Sequence, residues 1–391
     1  MLLFWLRFLG IKASMKLYID ENIPYAKQFF SGFGELHFFS GRSVTAEQLS
    51  DADILLVRSI TKVDEKLLNL NKKIQFVGTA TIGTDHIDQT YLQNQNITFS
   101  SAPGCNKISV AEYVLSALLV LAEQKQFDLV DKTVAIVGAG NTGSAVFERL
   151  VALGICCKLY DPPLQQAGDN RDFCTFEEVI KADIISLHVP KTTKGEFPSV
   201  HMFNDTVLNK LDKNQCLINA SRGEVIDNQA LLKRAQQNNC PELILDVWEN
   251  EPDIKKELLP YVMLATPHIA GYSLDGKVRG TEMLYQALCD HLNQKVEHKS
   301  TDFVAKAIIS NVKVNQPLNQ PLLKQLMHLI YDVRRDDALF RQMIDQDDGF
   351  DIMRKTYSER RELSTLFIDA PASENQLLQS LGFRTNVVKE R

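Results

Sequence analysis

The chain runs to 391 residues, 45% hydrophobic and 24% charged, so it is too long for one compact domain and apolar enough to build two or three cores. Forty-three basic against forty-nine acidic side chains leave a formal charge of −6, which excludes the basic face of a general nucleic-acid or anionic-membrane binder. Seven cysteines, with no C-x-x-C and with Cys156 and Cys157 adjacent, suggest neither a disulfide framework nor a zinc site, and buried packing in a reducing compartment is expected for them.

Met1 to Gly10 is apolar apart from Arg7, yet far short of the roughly 20 residues of a membrane-spanning helix. It also lacks the basic lead and small-x-small site of a secretory signal. Residues 1–14 are therefore expected to be an extension ahead of a start at Met15, and the protein is expected to be cytoplasmic.

From Met15 the apolar runs 16–20, 35–39, 53–59, 74–80 and 97–103 alternate with helical stretches, a βαβ rhythm that implies a parallel sheet covered by helices. Pro103-Gly104 punctuates its end, and Ser109 is expected to cap an apolar helix over 110–124 with Glu112 in the first turn. A second series of strands follows at 133–138, 156–161, 183–189, 216–220, 243–247 and 262–266. Their near-continuous apolar character fits strands buried on both faces of a doubly wound sheet. A helical pattern over 273–292 is expected to rejoin the first domain. Beyond it short apolar runs alternate with dense charge, punctuated by Pro317 and Pro321, and no motif is legible there. The domains expected are 15–108 with 270–292, then 109–269, then 293–391.

Strand 133–138 runs straight into Gly138-Ala-Gly140-Asn141-Thr142-Gly143 and a helix. In a dinucleotide-binding turn the first glycine makes the tight bend, the second admits a pyrophosphate, and the third lets helix and strand pack closely. The phosphates then lie on unpaired N–H groups at the helix N-terminus. Asp161 ends the next strand, 18 residues past Gly143, where a carboxylate accepts from ribose hydroxyls and repels a 2′-phosphate. NAD is thus the expected cofactor, since neither Lys158 nor Arg171 obviously builds a 2′-phosphate site. His188 ends a strand of the same series, and a core role suits it better than chemistry.

Arg222, Glu251 and His268 each follow the carboxyl end of an expected strand, the edge where open α/β sheets bind ligands. Oxidation of a 2-hydroxy acid needs a fork to grip the carboxylate, a base for the hydroxyl proton, and a carboxylate to orient that base. The three side chains supply those roles, although their spacing is arbitrary and each alone reads as an ordinary polar residue.

The blocks Asn219-Ala-Ser-Arg-Gly (219–223), Leu245-Asp-Val-Trp-Glu-Asn-Glu-Pro (245–252) and Thr266-Pro-His-Ile-Ala-Gly (266–271) resemble the signatures of the D-isomer-specific 2-hydroxyacid dehydrogenases, in the family order. The resemblance covers about residues 15–290. It implies Arg222 as the carboxylate binder, His268 as the acid/base and Glu251 as its orienting partner. Further segments, Asp20-Glu-Asn-Ile-Pro-Tyr-Ala, Val57-Arg-Ser-Ile-Thr-Lys-Val, the 78–88 loop and Ile269-Ala-Gly-Tyr-Ser, resemble a branch of the family that oxidises a phosphorylated sugar acid. By that resemblance Ser59, Thr81 and Tyr272 contact substrate. Asp161, Val189, Ala220, Ser221, Asp246 and Gly271, with the 138–143 turn, contact NAD, and no metal is involved. The implied fold is α/β: a flavodoxin-like substrate domain, a Rossmann domain, and a small C-terminal α+β domain that builds a homodimer. The implied reaction is oxidation of 4-phospho-D-erythronate to 3-hydroxy-2-oxo-4-phosphooxybutanoate on the route to pyridoxal 5′-phosphate. The competing readings are another phosphorylated hydroxy acid such as 3-phosphoglycerate, and a non-catalytic NAD(H)-sensing corepressor.

Overall fold

The structure, a computed structural model, describes residues 14–386; the expectation for residues 1–14 lies, apart from Ser14, outside them. Two compact units result. One comprises the chain up to Cys105 with Asp275–Ala305, the other Asn106–Leu274 with Lys306 onward.

The first unit carries β1 (Met15–Asp20), β2 (Gly34–Phe39), β3 (Ile54–Val57), β4 (Phe76–Thr79) and β5 (Thr98–Ser100). They form an all-parallel sheet in the order β2-β1-β3-β4-β5, the flavodoxin-like arrangement. Every residue of β3 and β4 is buried, which is why their sequences read as continuous apolar runs. Both strands stop short of the expected 53–59 and 74–80, because Ser59 and Thr81 belong to the loops beyond them. From Asp275 the helix Leu274–His291 packs in this unit: Thr281 Oγ1 donates to Pro24 C=O at 3.0 Å, and Tyr285 meets the rings of Phe29, Phe30 and Phe33.

The second unit carries β6 (Thr133–Val137), β7 (Cys156–Tyr160), β8 (Ile184–Leu187), β9 (Cys216–Asn219), β10 (Glu242–Leu245) and β11 (Leu264–Ala265). These are all parallel, in the order β11-β10-β9-β8-β6-β7. Their residues alternate between two cores, Val134 and Ile136 going to one, Ala135 and Val137 to the other. The C-terminal segment feeds both. Leu323, Leu326 and Met327 from the helix Gln320–Ile330 join the first core, while Phe340 from Val333–Met343 and Phe350 from Gly349–Lys355 join the second. The described residues from Lys306 onward therefore pack in the same compact unit as the glycine-turn sheet. Their own sheet is a pair of short parallel strands, β12 (Asn311–Lys313) and β13 (Phe367–Asp369).

Two sequence expectations give way here. The long helix runs Lys107–Lys125 and Ser109 does not cap it: Asn106 holds the N-cap position, and Ser109 is fully buried inside the helix. Ser109 Oγ instead meets Ser273 Oγ at 2.6 Å and donates to Glu362 Oε1 at 3.1 Å, and Glu112 accepts the Leu363 N–H at 2.8 Å. The partners lie 164 to 253 residues on, beyond the reach of local pattern. The cysteines also divide: Cys105, Cys216 and Cys289 are buried, while Cys156 is exposed and Cys157, Cys174 and Cys240 are half-buried.

Arg360 completes this buried network, stacked 3.4 Å over the Tyr331 ring and 3.7 Å from Glu112 Oε2. Burial and the nearby Glu362 carboxylate push the Glu112 carboxyl up to about 8, against the pull of Arg360. The unfolded chain releases that proton near pH 4.5, so the folded state binds the extra proton in between and loses stability as pH rises through that window. Glu112→Gln, neutral at every pH and still able to accept from Leu363, should therefore unfold a few degrees above the parent near pH 9 and together with it near pH 4. A midpoint below the parent's at the alkaline end, by scanning calorimetry, would contradict the assignment.

Candidate active site

Arg222, Glu251 and His268 follow β9, β10 and β11, three adjacent strands, so the second unit presents all three at one sheet edge. Local bonds fix each approach. Asn219 Oδ1 accepts from the Ser221 N–H at 3.2 Å and hydroxyl at 2.8 Å, and its Nδ2 donates to Arg222 C=O at 3.0 Å, folding the chain into a tight bend. Arg222 Nη1 in turn donates to Ser221 C=O at 2.7 Å. A Cβ on Gly223 would run into the Trp248 carbonyl, so glycine lets this bend lie directly on the second block. Trp248, fully buried, ties the second block to the third: its indole N–H donates to Thr266 C=O at 2.9 Å, and its backbone N–H holds Glu251 Oε1 at 2.9 Å.

The other Glu251 oxygen meets His268 Nδ1 at 2.7 Å, with the imidazole side chain 32% exposed and the carboxylate 18%. Burial raises the Glu251 carboxyl, but the imidazole it faces, the hydrogen bonds from His268 and Trp248, and the Arg354 charge together carry it below its usual value. An ionised Glu251 assigns the proton to Nδ1 and leaves Nε2 as the basic nitrogen. His268 itself has φ 57°, a left-handed conformation that costs about 1 kcal/mol or more and persists only where its surroundings fix it. Asp246 is that fixture. Its C=O accepts the His268 N–H at 2.6 Å, and its carboxylate accepts the N–H groups of Ile269 (2.8 Å) and Ala270 (3.0 Å) and the Thr266 hydroxyl (2.6 Å). The family resemblance implies a cofactor contact for Asp246; its clamp on the histidine turn is not legible in the sequence.

The glycine turn sits at the end of β6. Gly138 has φ +92°, and a Cβ on it would come 2.7 Å from the His188 carbonyl; one on Gly143 would strike the Gly138 carbonyl. Nothing lies within 4 Å of a Cβ placed on Gly140, which forms the N-cap of the helix Asn141–Ala152 and offers open space beside the first-turn N–H groups of Asn141, Thr142 and Gly143. The turn thus fits a pyrophosphate. Asp161 closes β7; Oδ2 accepts the Ala139 N–H at 2.8 Å and Oδ1 caps a short helix through Leu164 N–H at 3.1 Å. Arg171 reaches the same turn, but its guanidinium is committed to Asp169, Ser144 Oγ and Ala139 C=O. Lys158 pairs with Glu178 at 2.9 Å. Val189, just past β8, and Ala220, just past β9, are half-buried at this same edge, and Ser221 is buried. Gly271 lies against the Asn106 side chain, leaving no room for a Cβ. His188 is half-buried beneath the turn, its Nε2 2.8 Å from Ser186 Oγ, and desolvation of the ring pushes it down to about 3, so it stays neutral.

In the first unit Val57 of β3 pairs with Thr79 of β4, and Ser59 and Thr81 each lie two residues past that pair, together at the carboxyl edge of their own sheet. Ser59 is exposed. Thr81 Oγ1 donates to Gly83 C=O and lies 2.8 Å from Thr79 Oγ1, which meets His86 Nε2 at 3.0 Å. Tyr272 belongs to the second unit with the Arg–Glu–His set. Sequence reasoning missed Arg354, whose Nη2 donates to the Tyr272 hydroxyl at 3.2 Å, because nothing in its helix marks it as more than an amphipathic charge. Among the described residues no cluster of His, Cys, Asp or Glu is placed to hold a metal ion, and no helix is long and apolar enough to cross a membrane.

Residues 120–270 match the family described as D-isomer specific 2-hydroxyacid dehydrogenase, NAD binding domain, and 303–382 match a domain of unknown function. The erythronate-4-phosphate dehydrogenase of Psychromonas ingrahamii is 69% identical over 96% of this chain and 98% of its own length. That of Tolumonas auensis is 52% identical over 94% and 99%. Among solved structures, NAD+-bound 3-phosphoglycerate dehydrogenase from Entamoeba histolytica superposes with a TM-score of 0.61 at 25% identity, covering 72% of this chain and 96% of that one.

Proposed function

Because the chain belongs to the erythronate-4-phosphate dehydrogenases of the D-isomer-specific 2-hydroxyacid dehydrogenase family, we propose that Arg222, Glu251 and His268 carry its reaction, the NAD-dependent oxidation of 4-phospho-D-erythronate at C2. The product is 3-hydroxy-2-oxo-4-phosphooxybutanoate, on the route to pyridoxal 5′-phosphate. The observation that carries this reading is the 2.7 Å bond from His268 Nδ1 to a carboxylate held ionised.

Neutral His268 takes the C2 hydroxyl proton on Nε2 as the C2 hydride leaves. Glu251 keeps the ring in the tautomer that can do so and stabilises the imidazolium that results. Arg222 grips the substrate carboxylate with two parallel charge-assisted bonds. NAD, when bound, accepts the hydride. The first-turn N–H groups of Asn141, Thr142 and Gly143 would hold its pyrophosphate above Gly138 and Gly140, and Asp161 would hold its ribose hydroxyls. Val189, Ala220, Ser221, Asp246 and Gly271 would line the rest of that site. Ser59, Thr81 and Tyr272 would contact the sugar acid. In this reading 15–108 with 270–292 form the substrate domain, 109–269 the NAD domain, and 293–391 a dimerisation domain, in a cytoplasmic homodimer.

Asp161→Ser, which keeps a capping oxygen but removes the charge, should lower the NAD-over-NADP ratio of kcat/KM by about tenfold or more. An unchanged ratio would mean the ribose is read elsewhere. The likeness to a 3-phosphoglycerate dehydrogenase makes that acid the second substrate to test. Assayed by NADH absorbance against a panel of hydroxy acids, the enzyme should favour 4-phospho-D-erythronate over 3-phosphoglycerate by roughly 100-fold or more in kcat/KM. The reverse order would transfer the assignment, and NAD binding without turnover on any acid would favour a sensor.

A further inference from the structure

The turn after His268 is gripped from the C-terminal segment. Arg360 donates to Ala270 C=O at 3.0 Å and accepts the Leu274 N–H on its own carbonyl at 2.8 Å. Ser273 Oγ donates to Glu362 at 3.0 Å, and the Tyr357 ring meets Tyr272 edge-to-face at 5.8 Å. These contacts fix backbone and ring.

Arg354 does something different. It reaches from the helix Gly349–Lys355 to the one polar atom of the Tyr272 side chain, with its guanidinium carbon 5.8 Å from the ring centres of both Tyr272 and Phe350. Its Nε is buried without a hydrogen-bond partner. A guanidinium among aromatic rings with a donor left unsatisfied is a poor device for stability, since an apolar side chain of similar length would fill the space without desolvating a charge. The position makes sense if the charge and the fork are needed where they point, at the Tyr272 hydroxyl. The same charge helps keep the Glu251 carboxyl ionised.

We infer that Arg354 is a positioning residue of the dehydrogenase site, aiming the Tyr272 hydroxyl at the sugar acid, so that the segment matching a domain of unknown function completes the active site of its own chain. This rests on the substrate role proposed for Tyr272.

The test is a double-mutant cycle on the full chain, Arg354→Met and Tyr272→Phe singly and together, assayed with 4-phospho-D-erythronate and NAD. Arg354→Met should raise KM for the sugar acid about tenfold and change KM for NAD less than about twofold. In the Tyr272→Phe background the same change should add less than about twofold, because the hydroxyl through which Arg354 acts is gone. Arg354→Lys, which keeps charge and reach, should recover most of the lost affinity, and Arg354→Leu carries the cycle if the methionine variant does not fold. An unchanged KM in a folded variant, or an equal penalty with and without the Tyr272 hydroxyl, would overturn the inference. A wild-type enzyme inactive on this acid would instead overturn the proposed function.

Discussion

Replacing His268 with alanine should lower turnover by about 10²–10⁴-fold, the range that a positioned general base contributes, while NAD affinity measured by fluorescence titration stays within about twofold. The separation is expected because the imidazole is tied to Glu251 and to the Asp246 carbonyl, and no bond links it to the glycine turn. Undiminished turnover in the variant would remove His268 from the chemistry. Weakened NAD binding with an intact single-turnover rate would give the side chain a cofactor role instead.

The second large effect is expected at Arg222. Lysine preserves the charge but not the planar fork, and one charge-assisted bond of a bidentate pair is worth about 1.5–3 kcal/mol. Arg222→Lys should therefore lose roughly 10- to 100-fold in kcat/KM for the sugar acid, with part of the loss in kcat, because the carboxylate must be held square to the base for proton and hydride to leave together. The geometry sharpens the expectation: Nη1 spends a bond on the Ser221 carbonyl, which anchors the guanidinium plane, and an ammonium cannot make that bond and present two donors in one plane as well. Wild-type kinetics in Arg222→Lys would mean that another group holds the carboxylate.

Much of this is legible in the sequence. Buried parallel strands such as β3 and β8 announce themselves as unbroken apolar runs, and a glycine turn between a strand and a helix has little other reading. The strand-end placement of Arg222, Glu251 and His268 followed from the same pattern, and adjacency of β9, β10 and β11 explains how arbitrary sequence spacings converge. What escaped was long-range. Ser109 read as a helix cap because its true partners, Ser273 and Glu362, lie 164 and 253 residues away. The clamp of Asp246 on Ile269 and Ala270 escaped because it depends on two strands pairing in register. Arg354, Arg360 and Glu362 sit in a stretch whose pattern shows only amphipathic helices, and their importance comes from packing against a turn some 90 residues earlier.

The central claim, that hydride leaves C2 of the sugar acid while His268 takes the hydroxyl proton, is tested most directly with 4-phospho-D-erythronate deuterated at C2. The account predicts that the deuterium is recovered in the NADH formed, one label per turnover, and that His268→Ala slows the transfer by the same factor of about 10²–10⁴. Label appearing in solvent water, or transfer at an undiminished rate after the loss of His268, would contradict it.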